Sequence, residues 1–347
     1  MRAFRWHAPG NVRIDSVPEP QAEPGTVVVR VEWCGLCGTD LHEYTHGPVL
    51  IPSRPHPLTG KVPPVTLGHE FCGRVTAVGA GAGFAIGDSV TANACLVCHE
   101  CSWCLAGQFN LCAKLGSIGL CADGGLAEFV SVPAYTLHRV PSHLASDIGA
   151  LCEPTAVAVH ACRRARLQRG DTVAVIGAGT IGLLVLQTAR TCGAAAVFSI
   201  EPIAARRDLA IRLGAQAALD PADAVDKQIT AATGNRRADV VFECTGSLAG
   251  IETALRVSGK GGRIIIVGIY RDASPAPWAR LQAHEKEIIG SSAYTDEFPA
   301  AVELLASGAI QGAPLITDRI KLDEVEQRGL RALLEEPQKH LKILAQP

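Results

Sequence analysis

The stretch TVAVIGAGTIG, residues 172–182, decides the fold of much of this chain. It starts with an apolar, β-branched run typical of a buried strand, and apolar residues 181–190 continue it as a helix. The turn between them has the spacing G-x-G-x-x-G, formed by Gly177, Gly179, Thr180, Ile181 and Gly182. In such a turn the first glycine allows a tight bend and the second lets the backbone approach a pyrophosphate. The third allows close packing of helix on strand, so the stretch predicts a dinucleotide-binding unit.

An acidic residue, Glu201, follows at the end of the next predicted strand. A carboxylate there accepts hydrogen bonds from the ribose hydroxyls of NAD and repels the 2′-phosphate of NADP. We therefore expect NAD as the cofactor. An alternative stays open, because Arg206 and Arg207 follow closely and could bind a phosphate instead.

The periodicity of the apolar residues changes along the chain and predicts its division into domains. Residues 1–152 contain short β-branched runs broken by Gly and Pro, which predicts a mostly-β, partly barrel-like lobe. Over residues 153–287 helical stretches alternate with short strands, which predicts a doubly wound parallel sheet. The alternation then ends, and predicted helices at 298–307 and 324–334 precede a closing strand at 342–344. The fold class is therefore α/β with two domains.

The composition excludes several classes of protein. A length of 347 residues favours two domains, and a net charge of -2 offers no basic surface for nucleic acid or an anionic membrane. The longest apolar stretch, residues 173–189, is interrupted by three glycines and does not predict a membrane span. The N-terminal residues lack the apolar core of a secretory signal. With thirteen cysteines and no such signal, we expect free or metal-bound thiols and a cytoplasmic location.

Four cysteines at C-x2-C-x2-C-x7-C form a candidate metal cluster: Cys98, Cys101, Cys104 and Cys112. We call this group the cysteine knot, a name that refers here to four candidate metal-binding thiols and not to disulfides. Thiolates this close in sequence fit a closed, structural zinc site, since Zn²⁺ accepts four sulfur ligands tetrahedrally. Cys95 continues the spacing of three, so five cysteines compete for four places. We favour the four named and interpret Cys95 as a buried thiol at a strand end. A zinc ribbon for nucleic acid is the alternative, and the lack of a basic surface counts against it.

Three further segments carry candidate ligands for a second metal: Cys37 in CGLCGTDLH, His69 and Glu70 in GHE, and Glu153 in LCEP. A catalytic zinc needs about three protein ligands and one open position. Cys37, His69 and one carboxylate would meet that need. Each also has an ordinary interpretation, as a core thiol, a turn residue or a helix-terminal acid, and spacing alone does not decide.

Taken in order, these motifs resemble those of the zinc-dependent medium-chain alcohol and polyol dehydrogenases. The resemblance covers C-G-T-x-x-H from Cys37, G-H-E, the cysteine knot, E-P from Glu153 and GAGTIG, which together span nearly the whole chain. It implies a GroES-like, mostly-β catalytic domain of residues 1–152 and 288–347, interrupted by a Rossmann NAD-binding domain of residues 153–287. Within the family, CGLCGTDLHEYTHGP and the Pro-rich segment that follows are most similar to 2,3-butanediol dehydrogenases.

The resemblance also implies roles for single residues. Cys37 and His69 would bind a catalytic zinc, and Glu70 or Glu153 would supply the carboxylate. Simple alcohol dehydrogenases carry a second cysteine where this chain has Glu153, a departure that resembles the polyol branch. Which glutamate binds the metal stays open.

The same resemblance implies a proton relay and a nicotinamide pocket. Thr39 would accept the proton of the alcohol and pass it, through the nicotinamide ribose, to His42, a residue type suited to such a shuttle. Thr245 and Gly268, which follow predicted strands at the carboxyl edge of the sheet, would border the nicotinamide.

The implied activity is a zinc- and NAD-dependent interconversion of a vicinal diol and its hydroxyketone, of the 2,3-butanediol/acetoin type, by hydride transfer. The alternative substrates are sorbitol or another polyol, and L-threonine. The expected partners are a small-molecule alcohol and further copies of the chain, as a homodimer or homotetramer. The predicted strand at 263–267 is a candidate pairing edge.

Overall fold

The computed structural model describes residues 1–270 and 278–347, and the chain forms two compact units. Unit 1 comprises Met1–Glu153, Phe298–Ser307 and Gly312–Pro347, and unit 2 comprises Pro154–Glu297 and Gly308–Gln311. None of the helices in the described residues is long and apolar enough to cross a membrane.

The regular elements are numbered along the chain. The strands are β1 (Arg2–Ala8), β2 (Asn11–Ser16), β3 (Thr26–Gly35), β4 (Val65–Thr66), β5 (Glu70–Val78), β6 (Ser89–Ala92), β7 (Cys95–Leu96), β8 (Gly116–Ser117), β9 (Phe129–Pro133), β10 (Leu137–Arg139), β11 (Thr172–Ile176), β12 (Ala196–Ile200), β13 (Ala217–Leu219), β14 (Ala238–Glu243), β15 (Ser258–Ile266), β16 (Glu287–Gly290), β17 (Ile316–Lys321) and β18 (Lys342–Gln346). The α-helices are α1 (Gly38–His46), α2 (Ser102–Leu105), α3 (Ser146–Gly149), α4 (Cys152–Arg164), α5 (Thr180–Thr191), α6 (Ala204–Arg212), α7 (Val225–Ala232), α8 (Leu248–Val257), α9 (Trp278–Ala283), α10 (Phe298–Ala306) and α11 (Ala332–Glu335). A π-helix covers Val325–Arg331, and 3₁₀ turns cover Phe109–Leu111, Ala134–Thr136, Ala313–Leu315 and Leu322–Glu324.

Unit 1 is the predicted mostly-β unit. Its main sheet has the order β10-β6-β5-β3-β18-β17, with β9 also paired to β3. Strands β2, β1 and β4 form a second sheet, and β7 pairs with β8 beside the cysteine knot. The late strand β18 pairs with β3 at Leu344 and Gly35, so sequence from both ends of the chain shares one sheet.

The geometry of β3 and β5 positions the first candidate site. Gly35 near the end of β3 lies opposite Glu70 at the start of β5. The chain leaves β3, enters α1 after Cys37, and returns through a loop of residues 47–64 and β4 to His69. Residues far apart in sequence therefore meet at one edge of the sheet.

Unit 2 contains one parallel sheet with the order β13-β12-β11-β14-β15-β16. Counted within the unit, this is the strand order 3-2-1-4-5-6 of a Rossmann fold, which confirms the predicted doubly wound sheet. Its core packs Phe198, Val241 and Ile264 with helix residues such as Leu255.

Two expectations about this sheet change. The candidate pairing edge at 263–267 was wrong, because β15 lies between β14 and β16 and the described edges are β13 and β16. The predicted return to the catalytic domain at residue 288 falls inside β16, whose Ile288 pairs with Ile264. The short strand β16 follows a segment without clear alternation, and so it was not foreseen.

Candidate metal and cofactor sites

Three predicted metal ligands lie together in unit 1. One ligand atom each from Cys37, His69 and Glu70 falls within 4.8 Å of the others. Cys37 precedes the first residue of α1, and the side chain of Asp40 in its first turn accepts the backbone N–H of Cys37 at 2.9 Å. His69 and Glu70 are buried, whereas Cys37 is only half-buried. A cation here would thus be held by three protein ligands and would be more accessible on the side of Cys37.

The charges around His69 favour a cation. Burial opposes protonation of this imidazole, but the charges of Cys37 and Asp40 outweigh burial and raise the pKa of His69 well above its usual value. Its Nδ1 lies 3.8 Å from Oδ1 of Asp40, and both atoms are buried without a hydrogen-bond partner in the structure. A carboxylate beside one nitrogen of a metal-binding histidine orients the ring so that the other nitrogen reaches the metal. The donor set and these two unpartnered atoms therefore fit zinc.

Glu70 has a cationic partner that the sequence motifs did not reveal. Nζ of Lys342 donates to both carboxylate oxygens of Glu70, at 2.9 and 2.6 Å, and to the carbonyl of Leu36 at 2.8 Å. Lys342 is only 3% exposed, and although burial disfavours its charge, Glu70 raises the pKa of the ammonium. Glu70 is thus bound to Lys342 while it lies among the candidate ligands.

Glu153 stands apart from the three-ligand group. It is buried in the first turn of α4 and lies close enough for its charge to raise the pKa of His69. The cluster of mutually close ligand atoms nevertheless contains Glu70 and not Glu153. The geometry therefore favours Glu70 as the nearer carboxylate.

The two predicted relay residues lie on α1. Oγ1 of Thr39 is 3.7 Å from Sγ of Cys37, so its hydroxyl borders the candidate metal site. His42 follows three residues later on the same helix face, and both side chains are half-buried. Position and exposure suit a path from the metal site towards solvent.

The cysteine knot is a second compact group. Cys98, Cys101, Cys104 and Cys112 offer sulfurs within 4.8 Å of one another. The Sγ atoms of Cys98 and Cys112 are 3.5 Å apart and those of Cys98 and Cys104 are 3.9 Å apart. Tetrahedral zinc with bonds of about 2.3 Å would separate its sulfurs by about 3.8 Å. Cys95, the fifth candidate, is buried in β7 and lies outside the group.

Backbone donors prepare the cysteine knot for ionisation. The N–H of Ala113 is the main cause that lowers the pKa of Cys101 to about 6, and the N–H of Glu100 lowers the pKa of Cys98. Burial raises the pKa of Cys104. Zinc binds thiolates, and the lowered pKa values of Cys98 and Cys101 make these two thiols the easier ones to ionise. The metal itself would ionise the other two.

The glycine turn in unit 2 shows what each glycine does. Gly177 has φ +89°, which favours glycine, and a Cβ on Gly182 would lie 1.8 Å from the carbonyl oxygen of Gly177. A Cβ on Gly179 would meet nothing within 4 Å, so this residue faces open space at the N-terminus of α5. A pyrophosphate has room there, beside N–H groups and the positive end of the helix dipole. Thr180 and Ile181 form the first turn of that helix.

Other predicted cofactor residues surround this turn. A Cβ on Gly177 would lie 2.7 Å from Cγ2 of Thr245, so the turns after β11 and β14 touch. Gly268 packs on Gly246, whose N–H would be 2.2 Å from a Cβ at residue 268. This is the switch point of the sheet, where doubly wound folds bind ligands.

Glu201 helps to build the turn. Its carboxylate accepts the N–H of Ala178 at 2.7 Å and the N–H of Ile203 at 3.0 Å. Burial lowers the pKa of Arg206, and the charge of Glu201 opposes that effect. Arg207 pairs with Asp220 at 2.8 Å and donates to the carbonyl of Glu201, which commits it to the protein itself.

Sequence reasoning missed Lys342 and Asp40. The signal for Lys342 was a charged residue within the otherwise apolar closing strand KILA, which a buried strand admits only with a partner. Asp40 was visible within the CGTD motif, as an acid in the first turn of a helix that begins at a candidate ligand.

The similarity to known proteins extends over the whole chain. Residues 23–142 match the family model of the alcohol dehydrogenase GroES-like domain, and residues 180–307 match that of zinc-binding dehydrogenase. The chain is 38% identical to (R,R)-butanediol dehydrogenase of Bacillus subtilis (strain 168), with 100% of both chains covered.

Solved structures agree in fold and in length. The crystal structure of 2R,3R-butanediol dehydrogenase from Bacillus subtilis superposes with a TM-score of 0.93 at 37% identity, covering 100% of this chain and 99% of that one. A putative zinc-binding dehydrogenase from Sinorhizobium meliloti 1021, bound to NADP, has a TM-score of 0.89 at 34% identity with the same coverage. A likeness that runs from end to end at this level of identity shows that the chain belongs to the zinc-dependent medium-chain alcohol dehydrogenase family.

Proposed function

We propose that this enzyme interconverts a vicinal diol and its hydroxyketone, of the 2,3-butanediol/acetoin type, with NAD⁺ as hydride acceptor and release of one proton. The observation that carries the proposal is the buried group of Cys37, His69 and Glu70 at the start of α1, in a chain with full-length similarity to butanediol dehydrogenases. The same family resemblance supports a structural, non-catalytic role for the metal site of the cysteine knot.

In this proposal Cys37, His69 and Glu70 hold a zinc ion, with Glu153 as the alternative carboxylate. Bound there, zinc supplies Lewis acidity towards the alcohol oxygen. Asp40, whose Oδ1 lies 3.8 Å from Nδ1 of His69, is the carboxylate that would orient the ring when the metal is bound. Lys342 offsets the charge of Glu70, which is buried near the carboxyl group of Asp40.

Proton removal falls to Thr39 and His42. The hydroxyl of Thr39, beside Cys37, accepts the proton of the alcohol and donates its own onward. His42, three residues along α1, delivers the proton to solvent. The function of α1 is therefore to keep one metal ligand and both relay groups in a fixed register.

For the cofactor, we propose that the glycine turn binds the pyrophosphate and that Glu201 selects NAD over NADP. Support comes from the position of the Glu201 carboxylate, which accepts the N–H of Ala178 in the glycine turn. An acidic residue at the end of the second strand is the feature that favours NAD in this fold. Thr245 and Gly268 would border the nicotinamide, since both follow strands at the switch point.

The test is a set of initial rates with separated stereoisomers of 2,3-butanediol, beside sorbitol and L-threonine, each with NAD⁺ and NADP⁺. We expect one butanediol isomer to have the highest kcat/KM, and NAD⁺ to be preferred. Preference for sorbitol or threonine would change the substrate assignment but leave the proposed mechanism in place. Equal rates with both cofactors would contradict the role of Glu201.

A further inference from the structure

The loop that joins α1 to β4 is held at its start by one buried side chain. Oε1 of Glu43 accepts the N–H groups of Leu50 and Ile51, at 2.5 and 3.1 Å, and Oε2 accepts that of Val49 at 2.9 Å. Glu43 is 0% exposed. Hydrogen bonds to a carboxylate are stronger than those between neutral groups, so this loop turn is firmly fixed.

The loop and the carboxylate depend on each other. Within the described residues, the recorded hydrogen bonds of the Glu43 side chain all come from backbone N–H groups of this one turn. An ionised carboxylate is costly to bury unless it is hydrogen-bonded or paired. Displacement of residues 49–51 would therefore leave the Glu43 carboxylate without these hydrogen bonds, next to apolar groups such as the ring of Trp6.

Glu43 belongs to the helix that carries the proposed chemistry. It lies six residues beyond Cys37, which is about 9 Å along a helix axis at about 1.5 Å per residue. Its own carbonyl accepts Nε1 of Trp6 at 2.8 Å and the N–H of Gly47 at 3.0 Å, so its backbone is fixed as well. The loop turn is thus attached to α1, and it also meets the rest of unit 1 through the buried side chain of Ile51 and through the thiol of Cys121, which donates to the carbonyl of Leu50 at 3.6 Å.

The far end of the same loop is anchored separately. The hydroxyl of Thr59 donates to the carbonyl of Cys121 at 2.5 Å, and Lys61 pairs with Asp123 at 2.6 Å. With that end fixed elsewhere, Glu43 holds the first turn through three backbone hydrogen bonds. This turn presents two exposed apolar side chains, Val49 at 51% and Leu50 at 52% exposure.

We propose that Glu43 is a specificity-positioning residue. By holding residues 49–51 against α1, it fixes the distance between the apolar side chains of Val49 and Leu50 and the alcohol-binding end of the helix. Such a surface suits the short alkyl ends of a small diol and disfavours a longer, fully hydroxylated chain, which would leave its hydroxyls unpaired there. The proposal rests on the proposed function, because it concerns how that substrate class is selected.

The decisive variant is Glu43→Gln, which keeps the size of the side chain. An amide has one acceptor oxygen, and its NH₂ group would face a backbone N–H, so at least one of the three bonds is lost. We expect KM for the preferred butanediol isomer to rise about tenfold, the change that loss of one such bond produces, with kcat within about twofold. The preference for butanediol over sorbitol, as kcat/KM, should fall by a similar factor. Amide hydrogens of residues 49–51 should exchange faster in the variant.

A matched control is Glu326→Gln. Glu326 accepts the hydroxyl of Tyr44 on the same helix at 3.1 Å but has no bond to the loop turn, so this variant should keep the wild-type selectivity. Wild-type KM and exchange rates in Glu43→Gln, or equal changes in Glu326→Gln, would overturn the proposal. Should Glu43→Gln fail to fold, Glu43→Asp keeps the charge, shortens the reach, and should change KM in the same direction.

The exchange measurement separates the two proposals. If the wild-type enzyme oxidises no vicinal diol, the proposed function fails. Faster exchange at residues 49–51 in Glu43→Gln would then still show that Glu43 holds the turn, and the substrate that the turn selects would be sought among other alcohols. Unchanged exchange would refute the role of Glu43 whatever the substrate.

Discussion

Buried charges at the candidate metal site are balanced residue by residue. Burial raises the pKa of Asp40, while Lys342 supplies a positive charge to Glu70 through two contacts. The pocket still favours a cation, as the raised pKa of His69 shows. Removal of a ligand should therefore affect metal occupancy more than folding.

Replacement of Cys37 by Ser tests this directly. We expect zinc content to fall from about two ions per chain to about one, because the cysteine knot keeps its own metal. Turnover should drop on the order of a thousandfold or more, as Lewis-acid catalysis contributes several kcal/mol. Metal analysis and initial rates measure both, and circular dichroism should show an unchanged fold.

The neighbouring Cys34 provides the control for that variant. It is buried in β3, and burial raises the pKa of its thiol well above the usual value, so it remains neutral. Cys34→Ser should keep two zinc ions and most activity. Retention of two zinc ions in Cys37→Ser would disprove the assignment of Cys37 as a ligand.

At the residue scale the sequence predicted those groups that lie in motifs. The knot cysteines have diagnostic spacing, whereas Cys37 and His69 were predicted through the family resemblance, and the structure brings each set together. Lys342 could not be predicted from spacing, since it lies far from Glu70 in sequence and meets it only through the pairing of β18 with β3.

Among the elements, α4 is tied to the segment before α10 by the contacts of one buried carboxylate, that of Glu297. Nδ1 of His160 lies 2.9 Å from Oε1 of Glu297, and the same oxygen accepts a hydrogen bond from Arg163 at 2.9 Å. Oε2 of Glu297 accepts the N–H of Thr295 at 2.6 Å. Burial opposes ionisation of Glu297, but these bonds and the charges of His160 and Arg163 outweigh it and lower the pKa of Glu297 to about 2.

This pKa gives a pH-dependent contribution to the stability of unit 2. A carboxylate with a lowered folded-state pKa stabilises above the unfolded value, 4.5, and loses that stability as the pH falls towards 2. Glu297→Gln should lower the free energy of unfolding on the order of 3 kcal/mol at pH 7. The difference from wild type should shrink between pH 4.5 and 2, as measured by denaturant titration. Exposed Glu303→Gln on α10 should show no such dependence, and a pH-independent difference for Glu297→Gln would refute the pairing.

The elements of unit 2 were predictable because periodicity and turn residues agree there. The strand at 172–176 was predicted to the residue, and the helix after it within one residue at each end. The predicted helix at 324–334 was less regular, since Val325–Arg331 is a π-helix. This segment also packs closely on the core: a Cβ on Gly329 would lie 2.5 Å from Cδ1 of Leu36, a contact that no local pattern reveals.

The whole molecule consists of two units with separate hydrophobic cores. The cysteine knot belongs to unit 1 alone, so loss of its metal should destabilise that unit and spare the other. We expect Cys104→Ser to lower the unfolding temperature of unit 1 by roughly 10 °C, because structural zinc contributes folding free energy directly. Unit 2 should keep its own transition in calorimetry.

Cys95→Ser is the matched control for the cysteine knot, since Cys95 is buried nearby but outside the cluster. It should retain the full metal content and two wild-type transitions. Loss of metal in Cys95→Ser but not in Cys104→Ser would exchange the assigned roles of these cysteines.

The pairing of β18 with β3 also determines the order of events on the ribosome. Translation proceeds from the N-terminal to the C-terminal end, so every strand of the parallel sheet of unit 2 has been synthesised before Lys342 exists. Until then the nascent chain holds Glu70 without its cation and β3 without one neighbour. Completion of the pocket around Cys37 and His69 is therefore a late step of biosynthesis, and it follows the appearance of the complete nucleotide-binding sequence.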